Sequence, residues 1–178
     1  MSELGTFTAI ARARAGISDV SEAAVRAALA EVPDPEIPVV SIVDLGLVER
    51  VEVSGDAIRV ELLPTFVGCP ALDAIQAAVE ERLASFGRPL DVRFSHRVPW
   101  TTDRITVRGR ERLQASGFAP PQPGGGSGPV LVPLGPAVPC PHCGSKRTVL
   151  ENAFGPTQCR AIYHCAACRQ PFEAFKPI

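Results

Sequence analysis

The chain has 178 residues, 46% of them hydrophobic, and a net charge of -1, the make-up of a globular protein with room for one ordinary domain and a small one. No apolar run approaches the ~18 residues that span a bilayer, so no membrane association is expected. The charge is uneven: residues 1 to 118 hold 13 Lys+Arg and 17 Asp+Glu, whereas 139 to 178 hold 5 and 2. That tail suits an acidic protein partner, and its excess is too small by itself to argue for nucleic acid, since phosphate neutralisation draws on several clustered cations.

Residues 1–20 read as an N-terminal tail. Arg12 and Arg14 occur there without an apolar h-region, so a cytoplasmic protein with reduced thiols is expected. Ser21 is placed to cap a helix in which Val25, Leu29 and Val32 share a face, with Pro33 and Pro35 as its stop. Val51 and Val53, then Ile58, Val60 and Leu62, alternate with polar residues around Ser54-Gly55-Asp56, a hairpin. Leu72, Ile75, Val79, Leu83 and Phe86 recur at helical intervals. Leu90, Val92, Phe94, His96 and Val98 alternate strictly, predicting a third strand. A last helix is expected from Asp103 to Ser116, capped by Thr101 or Thr102. Because the hairpin is antiparallel and the third strand returns through a helix, residues 21–118 read as a small α/β sandwich of a mixed sheet with helices.

Residues 119–138 read as a linker, since Pro120 to Pro129 is a charge-free PPQPGGGSGP stretch that combines polyproline stiffness with glycine flexibility. Beyond it, 139–178 carry two knuckles, Cys140-Pro141-His142-Cys143 and Cys165-Ala166-Ala167-Cys168. Two thiolates on one tight turn share one face of a metal ion, and a second turn completes a tetrahedron. Four sulfurs favour structural zinc, with iron as the alternative. Gly144 supplies positive φ after the first knuckle; Arg169 holds the equivalent place after the second. Cys159, six residues before Cys165, would either replace one knuckle ligand or add a fifth thiolate. About forty residues bury too little apolar surface to fold unaided, so the ribbon should need its metal, and metal loss should spare the first domain. Phe154, Tyr163, Phe172 and Phe175 read as ribbon core rather than base-stacking groups.

In the first domain the chemistry centres on Cys69, within Thr65-Phe66-Val67-Gly68-Cys69-Pro70. With Pro70 at the first helical position, Cys69 falls at the N-cap, where free N–H groups stabilise a thiolate; alternatively it is a small buried apolar residue. His96, on the apolar face of its strand, reads as core and not as a general base. The Asp34-Pro35-Glu36-Ile37-Pro38 loop places two carboxylates on proline-stiffened backbone, or is a plain helix-stopping turn.

Taken together, Asp34 to Pro38, Val43-Asp44-Leu45-Gly46-Leu47-Val48 and Thr65 to Pro70 resemble the iron–sulfur assembly domain of SufT-like proteins and eukaryotic cytosolic iron–sulfur targeting factors. Trp100 to Thr106, Gly109-Arg110 and the tail motifs Cys140 to Ser145, Phe154 to Cys159, Cys165 to Cys168 and Pro171 to Lys176 are similar to the longer version in the D subunits of phenylacetyl-CoA epoxidase systems. The resemblance implies a non-catalytic accessory subunit in aerobic phenylacetate degradation that assists iron–sulfur or metal-centre maturation of the oxygenase and reductase subunits, its partners. It implies a transient iron–sulfur cluster handled by Cys69, Asp34, Glu36 and Thr65. Since a four-thiolate cluster needs more than one cysteine, the remaining ligands would come from a homodimer partner, a client or the C-terminal cysteines. The alternative is a protein-binding adaptor that docks the complex through its ribbon. Consistent with an accessory role, the sequence lacks the Glu-x-x-His pairs of a di-iron bundle and a dinucleotide-binding glycine fingerprint.

Overall fold

The computed structural model describes residues 20–66, 68–121 and 137–176. The tail before residue 20 and the Pro/Gly-rich stretch 122–136 lie outside the described residues.

Helix α1 spans Glu22–Leu29, and Ser21 caps it by accepting from the Ala24 N–H at 3.1 Å. Val25, Ala28 and Leu29 form its buried face. Val32 is also buried but lies past the helix end, in a loop that runs to Leu47 and hides Val40, Ile42, Leu45 and Leu47. The loop closes on itself through an isolated bridge between Pro33 and Ser41.

Strands β1 (Val48–Ser54) and β2 (Ala57–Leu62) form the expected antiparallel hairpin. Gly55 at its tip has φ 59°, a left-handed conformation that favours glycine. Helix α2 (Leu72–Leu83) crosses back over the sheet on Ile75, Val79 and Leu83 and ends in a 3-10 turn, Ala84–Phe86. Strand β3 (Leu90–Phe94) then pairs parallel to β2, giving the order β1-β2-β3 and a mixed sheet.

Two elements end or begin elsewhere than the alternation suggests. Strand β3 stops at Phe94, opposite Leu62, the last residue of β2. Only the Ser95 N–H still reaches Leu62 O, at 2.8 Å; with no partner strand left, His96 and Val98 are exposed rather than on an apolar strand face. Helix α3 covers Val107–Ala115, with Thr106 as its cap, while Thr102–Arg104 is a separate 3-10 turn. Asp44 sets that break: its carbonyl accepts the Thr106 N–H at 2.9 Å, leaving the Thr106 hydroxyl to accept from Gly109 N–H at 3.0 Å.

After α3 the chain enters a second sheet. Strand β4 (Phe118–Ala119) pairs parallel to β7 (Pro171–Phe175), which pairs antiparallel to β6 (Arg160–Cys165), itself paired to β5 (Thr148–Asn152). The ribbon is therefore not a free-standing unit. Phe118, Cys159 and Phe175 belong to the same buried cluster as Val25, Ile58 and Val79. Phe175 lies 5.9 Å from Trp100 and 6.0 Å from Phe118, centroid to centroid. A smaller cluster, with Cys140, Cys165 and Phe172, holds the knuckle end, where Tyr163 stacks on Phe172. Phe154 departs from the expected ribbon core, being 74% exposed with Lys176 over its ring.

Candidate functional site

Two sites take shape, one at the knuckles and one where the ribbon meets the first domain. At the knuckles the sulfurs of Cys140, Cys143, Cys165 and Cys168 lie within 4.8 Å of one another. The Cys140–Cys168 and Cys143–Cys165 pairs stand at 3.6 Å. That is far beyond a disulfide of about 2.05 Å, and near the roughly 3.8 Å edge of a tetrahedron with Zn–S bonds of about 2.3 Å. The donor set and its spacing thus fit a tetrahedral zinc ion.

The knuckle turns present backbone N–H groups to the sulfurs. The N–H groups of Cys168 and Ala167 help lower the Cys165 thiol to about 6. Cys168 is favoured by the Gln170 N–H, yet burial and the neighbouring sulfurs push it up to about 12. Four thiols this close cannot all ionise without a cation to offset them. Gly144 turns at φ 72° and Arg169 at φ 61°, and Arg169 is the sole non-glycine residue with positive φ among the described residues.

The second site is a cavity of about 10 Å³, its lining including Asp34, Glu36, Thr65, Cys69, Cys159 and Phe175. Asp34 shapes its rim: Oδ1 accepts from the N–H groups of Glu36 at 2.9 Å and Ile37 at 2.8 Å. Burial raises the Asp34 pKa above the ordinary value, against those two bonds and the charge of Arg160.

Cys69 sits two residues ahead of Ala71, the N-cap of α2, rather than at the cap itself. Pro70 and Ala71 form a turn before the helix, in which the Ala71 N–H bonds the Cys69 thiol and the Leu72 N–H donates to Cys69 O at 3.4 Å. The thiol pKa is nevertheless raised, first by burial and then, against the Ala71 N–H, by the charges of Glu36 and Asp34. The structure therefore places Cys69 outside the N-cap position expected for it, where burial disfavours its thiolate.

Cys159 stands apart from the four knuckle sulfurs and faces this cavity from the ribbon side. It is held by the turn from Gly155 to Arg160, in which Gly155 N–H donates to Arg160 O at 2.9 Å and Arg160 N–H to Thr157 O at 3.1 Å. Its sulfur lies 3.1 Å from the Thr157 hydroxyl. Burial raises its pKa as well. Sequence reasoning tied Cys159 to the knuckles by proximity in the chain; its signal was that it fell outside both Cys-x-x-Cys pairs.

Arg160, which the sequence did not mark, joins the two halves of this site. Its Nε donates to the Thr157 hydroxyl at 2.9 Å, Nη1 to Glu173 at 2.8 Å and Nη2 to the Glu36 carbonyl at 3.2 Å. A second network, joining residues of two quoted motifs to the unmarked Arg108 and Arg112, holds the loop behind the cavity. Asp44, 1% exposed, accepts from Arg108 Nε at 2.8 Å and Arg112 Nη1 at 3.0 Å. Trp100 Nε1 donates to Leu45 O at 2.9 Å, and Arg104 bonds both Gly46 O and Glu49. Gly46 has φ 68°, and a Cβ there would lie 2.3 Å from Arg104 O, which accounts for the glycine in the Asp44-Leu45-Gly46 motif.

Fold and sites together define an iron–sulfur cluster assembly domain joined to a zinc β-ribbon. Residues 22–92 match the family model described as iron-sulfur cluster assembly protein, and 130–176 match the PaaD zinc beta ribbon domain. The chain is 42% identical over 153 residues, 85% of its length and 90% of the relative's, to the putative D subunit of the 1,2-phenylacetyl-CoA epoxidase of Escherichia coli. It belongs to the family of phenylacetyl-CoA epoxidase D subunits. Among solved structures it is similar to a DUF59 domain from Bacillus anthracis (28% identity, 52% of this chain and 90% of that one, TM-score 0.49). It is also similar to a conserved hypothetical protein from Thermotoga maritima (27%, 53% and 94%, TM-score 0.47). Among the described residues no helix is long and apolar enough to cross a membrane.

Proposed function

We propose that this chain is a non-catalytic accessory subunit of a phenylacetyl-CoA epoxidase system, acting in the cytoplasm to mature an iron–sulfur or metal centre of the reductase or oxygenase. One observation carries the reading: Cys69, Asp34, Glu36 and Thr65, which lie on two loops of the assembly domain, line one cavity. A thiol beside carboxylates offers iron a mixed sulfur and oxygen donor set, and a single-domain set of this kind holds cargo less firmly than four thiolates. Iron, alone or in a cluster, is cargo here and not a resident cofactor. Cys140, Cys143, Cys165 and Cys168 would hold zinc, which gives the ribbon its fold and so positions what it brings to the cavity.

Co-expression of the epoxidase subunits with the Cys69→Ala variant tests this reading. The reductase or oxygenase should be recovered with depleted iron while total subunit yield is kept. Full iron occupancy in both would overturn it.

The adaptor reading draws support from the outer ribbon strand. Strand β5 is an edge strand, and Val149 on it and Phe154 beyond it are 62% and 74% exposed, apolar area of the kind that partners cover. Under that reading Val149→Asp with Phe154→Ser abolishes co-purification with the other subunits, whereas Cys69→Ala is silent.

A further inference from the structure

We propose that Cys159 of the ribbon and Cys69 of the assembly domain, with Glu36, form one composite site for a single thiophilic divalent cation. This rests on the maturation reading above and names the cargo it would handle: one ferrous-type ion rather than a preassembled cluster.

The two cysteines are 90 positions apart in sequence and sit on different sheets' connections, yet both line one cavity. Cys159 is 8% exposed and packs in the assembly domain's core cluster, with Cys69 packed against that cluster. Every ionisable group lining the cavity (Asp34, Glu36, Cys69, Cys159) becomes negative on losing a proton. Burial raises the pKa of both thiols, and the charge of Glu36 adds to it in each. The facing cation, Arg160, is already engaged by Thr157, Glu173 and the Glu36 carbonyl. A buried set of acids of this kind is relieved by a metal ion, whose arrival releases the thiol protons.

The donor set favours a single ion: two thiols and one carboxylate are fewer than the four thiolates a cluster takes from protein, and the cavity of about 10 Å³ has room for one water-sized occupant. Asp34 holds the rim, engaged by two backbone N–H groups through Oδ1, and Glu36 is the carboxylate whose charge acts on both thiols. These donors are not drawn together as the knuckle sulfurs are, which form the group within 4.8 Å among the described residues. Binding must therefore rotate side chains inward, and an ion held at that cost is weaker than the ribbon's and readily passed on. Because the ribbon supplies Cys159, ribbon folding on zinc completes the site, which gives an otherwise structural domain a part in cargo binding.

The test is an anaerobic titration of the full-length, zinc-loaded protein with cobalt(II), which does not displace zinc from thiolates at equilibrium because it binds more weakly. One further equivalent should bind, with thiolate-to-cobalt charge-transfer absorption about half as intense as that of a cobalt-substituted four-thiolate ribbon. Cys69→Ser and Cys159→Ser should each lose about half of that absorption and bind at least roughly tenfold more weakly, with ribbon zinc retained. Cys159→Ser titrating like the unaltered chain would overturn the proposal. Should that variant misfold, alkylation mapping of the unaltered chain decides: one equivalent of cobalt must protect both Cys69 and Cys159, and protection of Cys69 alone overturns it. The two readings separate cleanly. Cobalt binding that needs both cysteines, with client iron unaffected in Cys69→Ala, upholds the composite site and removes the maturation role. Binding through Cys69 alone, with client iron depleted, does the reverse.

Discussion

Arg160 donates from Nη2 to the main-chain carbonyl of Glu36, 124 residues earlier, at 3.2 Å. This bond fastens the ribbon to the loop that carries both cavity carboxylates, and the same guanidinium is braced by Glu173 and Thr157. Replacing Arg160 with Ala leaves the Glu36 carbonyl and Glu173 without their donor. Loss of charge-assisted bonds of this type costs about 1.5–3 kcal/mol. The ribbon should loosen on the assembly domain, seen as faster hydrogen exchange at Ile37 and faster alkylation of Cys159. Unchanged rates at both positions would show that apolar packing alone docks the ribbon.

Metal removal should reach beyond the ribbon. Phe175 and Cys159 lie in the ribbon but are buried with the assembly domain's core, Phe175 against Trp100. When chelation unfolds the knuckles, the first domain loses that packing, and uncovering one large aromatic costs about 1.5–3 kcal/mol. Trp100 is the only tryptophan, so its fluorescence reports the event directly. Chelation should shift its emission and lower the denaturation midpoint of the first domain; a silent Trp100 after verified metal loss would restore the simpler view of two independent units.

Asp44 provides the pH dependence. Burial opposes its ionisation, but Arg108 and the Ser41 N–H and hydroxyl more than compensate, holding the carboxyl below its usual value of 3.8. The folded state therefore binds this proton less tightly than the unfolded chain does. The resulting stabilisation is fully present above pH 3.8 and is lost as pH falls through the lower folded value. Asp44→Asn should destabilise the protein by about 2–3 kcal/mol at neutral pH, below the roughly 3–5 kcal/mol for breaking a fully buried pair because both arginines are half exposed. The gap to the unaltered chain should close below pH 4, as urea melts across that range will show.

Asp34 has the opposite sign. Its folded pKa is raised above 3.8 by burial, so its contribution to stability falls as pH rises from 3.8 through the folded value. Asp34→Asn keeps an Oδ1 to accept from the Glu36 and Ile37 N–H groups and removes a charge that raises the Cys69 thiol. The variant should be at least as stable at neutral pH and should alkylate faster at Cys69, as should Glu36→Gln. Graded-pH alkylation followed by peptide mapping measures this; unaltered Cys69 rates in both variants would mean that burial alone sets the thiol's reactivity.

Arg169 occupies a left-handed position, φ 61°, that its counterpart Gly144 occupies at φ 72°. A side chain there costs about 1–2 kcal/mol, offset in part by the greater unfolded-state entropy of glycine, about 0.4–1 kcal/mol. Arg169→Gly should raise the ribbon's zinc affinity by about 0–1.6 kcal/mol, measurable by competition with a chelator. A loss of affinity would indicate that the guanidinium itself supports the second knuckle.

The elements that depend on neighbouring residues were legible without coordinates. Ser21 before an apolar-periodic run, the Gly55 hairpin tip and the two Cys-x-x-Cys spacings each encode their structure within a few positions, because capping, turn geometry and metal ligation by a knuckle are local. The edges of elements were less legible. Whether β3 continues to Val98 is decided not by its own alternation but by where β2 runs out at Leu62. The start of α3 is decided by the Asp44 carbonyl some 60 residues away in the chain. The assembly-domain side of the cavity was named from the resemblance, but the ribbon's share of it was not legible. Cys159 lies close in sequence to Cys165 and far from Cys69. Only the pairing of β4 with β7 and the insertion of Phe175 beside Trp100 turn it toward the assembly domain. Local chemistry determined that this chain has an α/β domain and a metal ribbon; long-range burial of apolar surface, which no short window of sequence records, decided that the two share a core and a site.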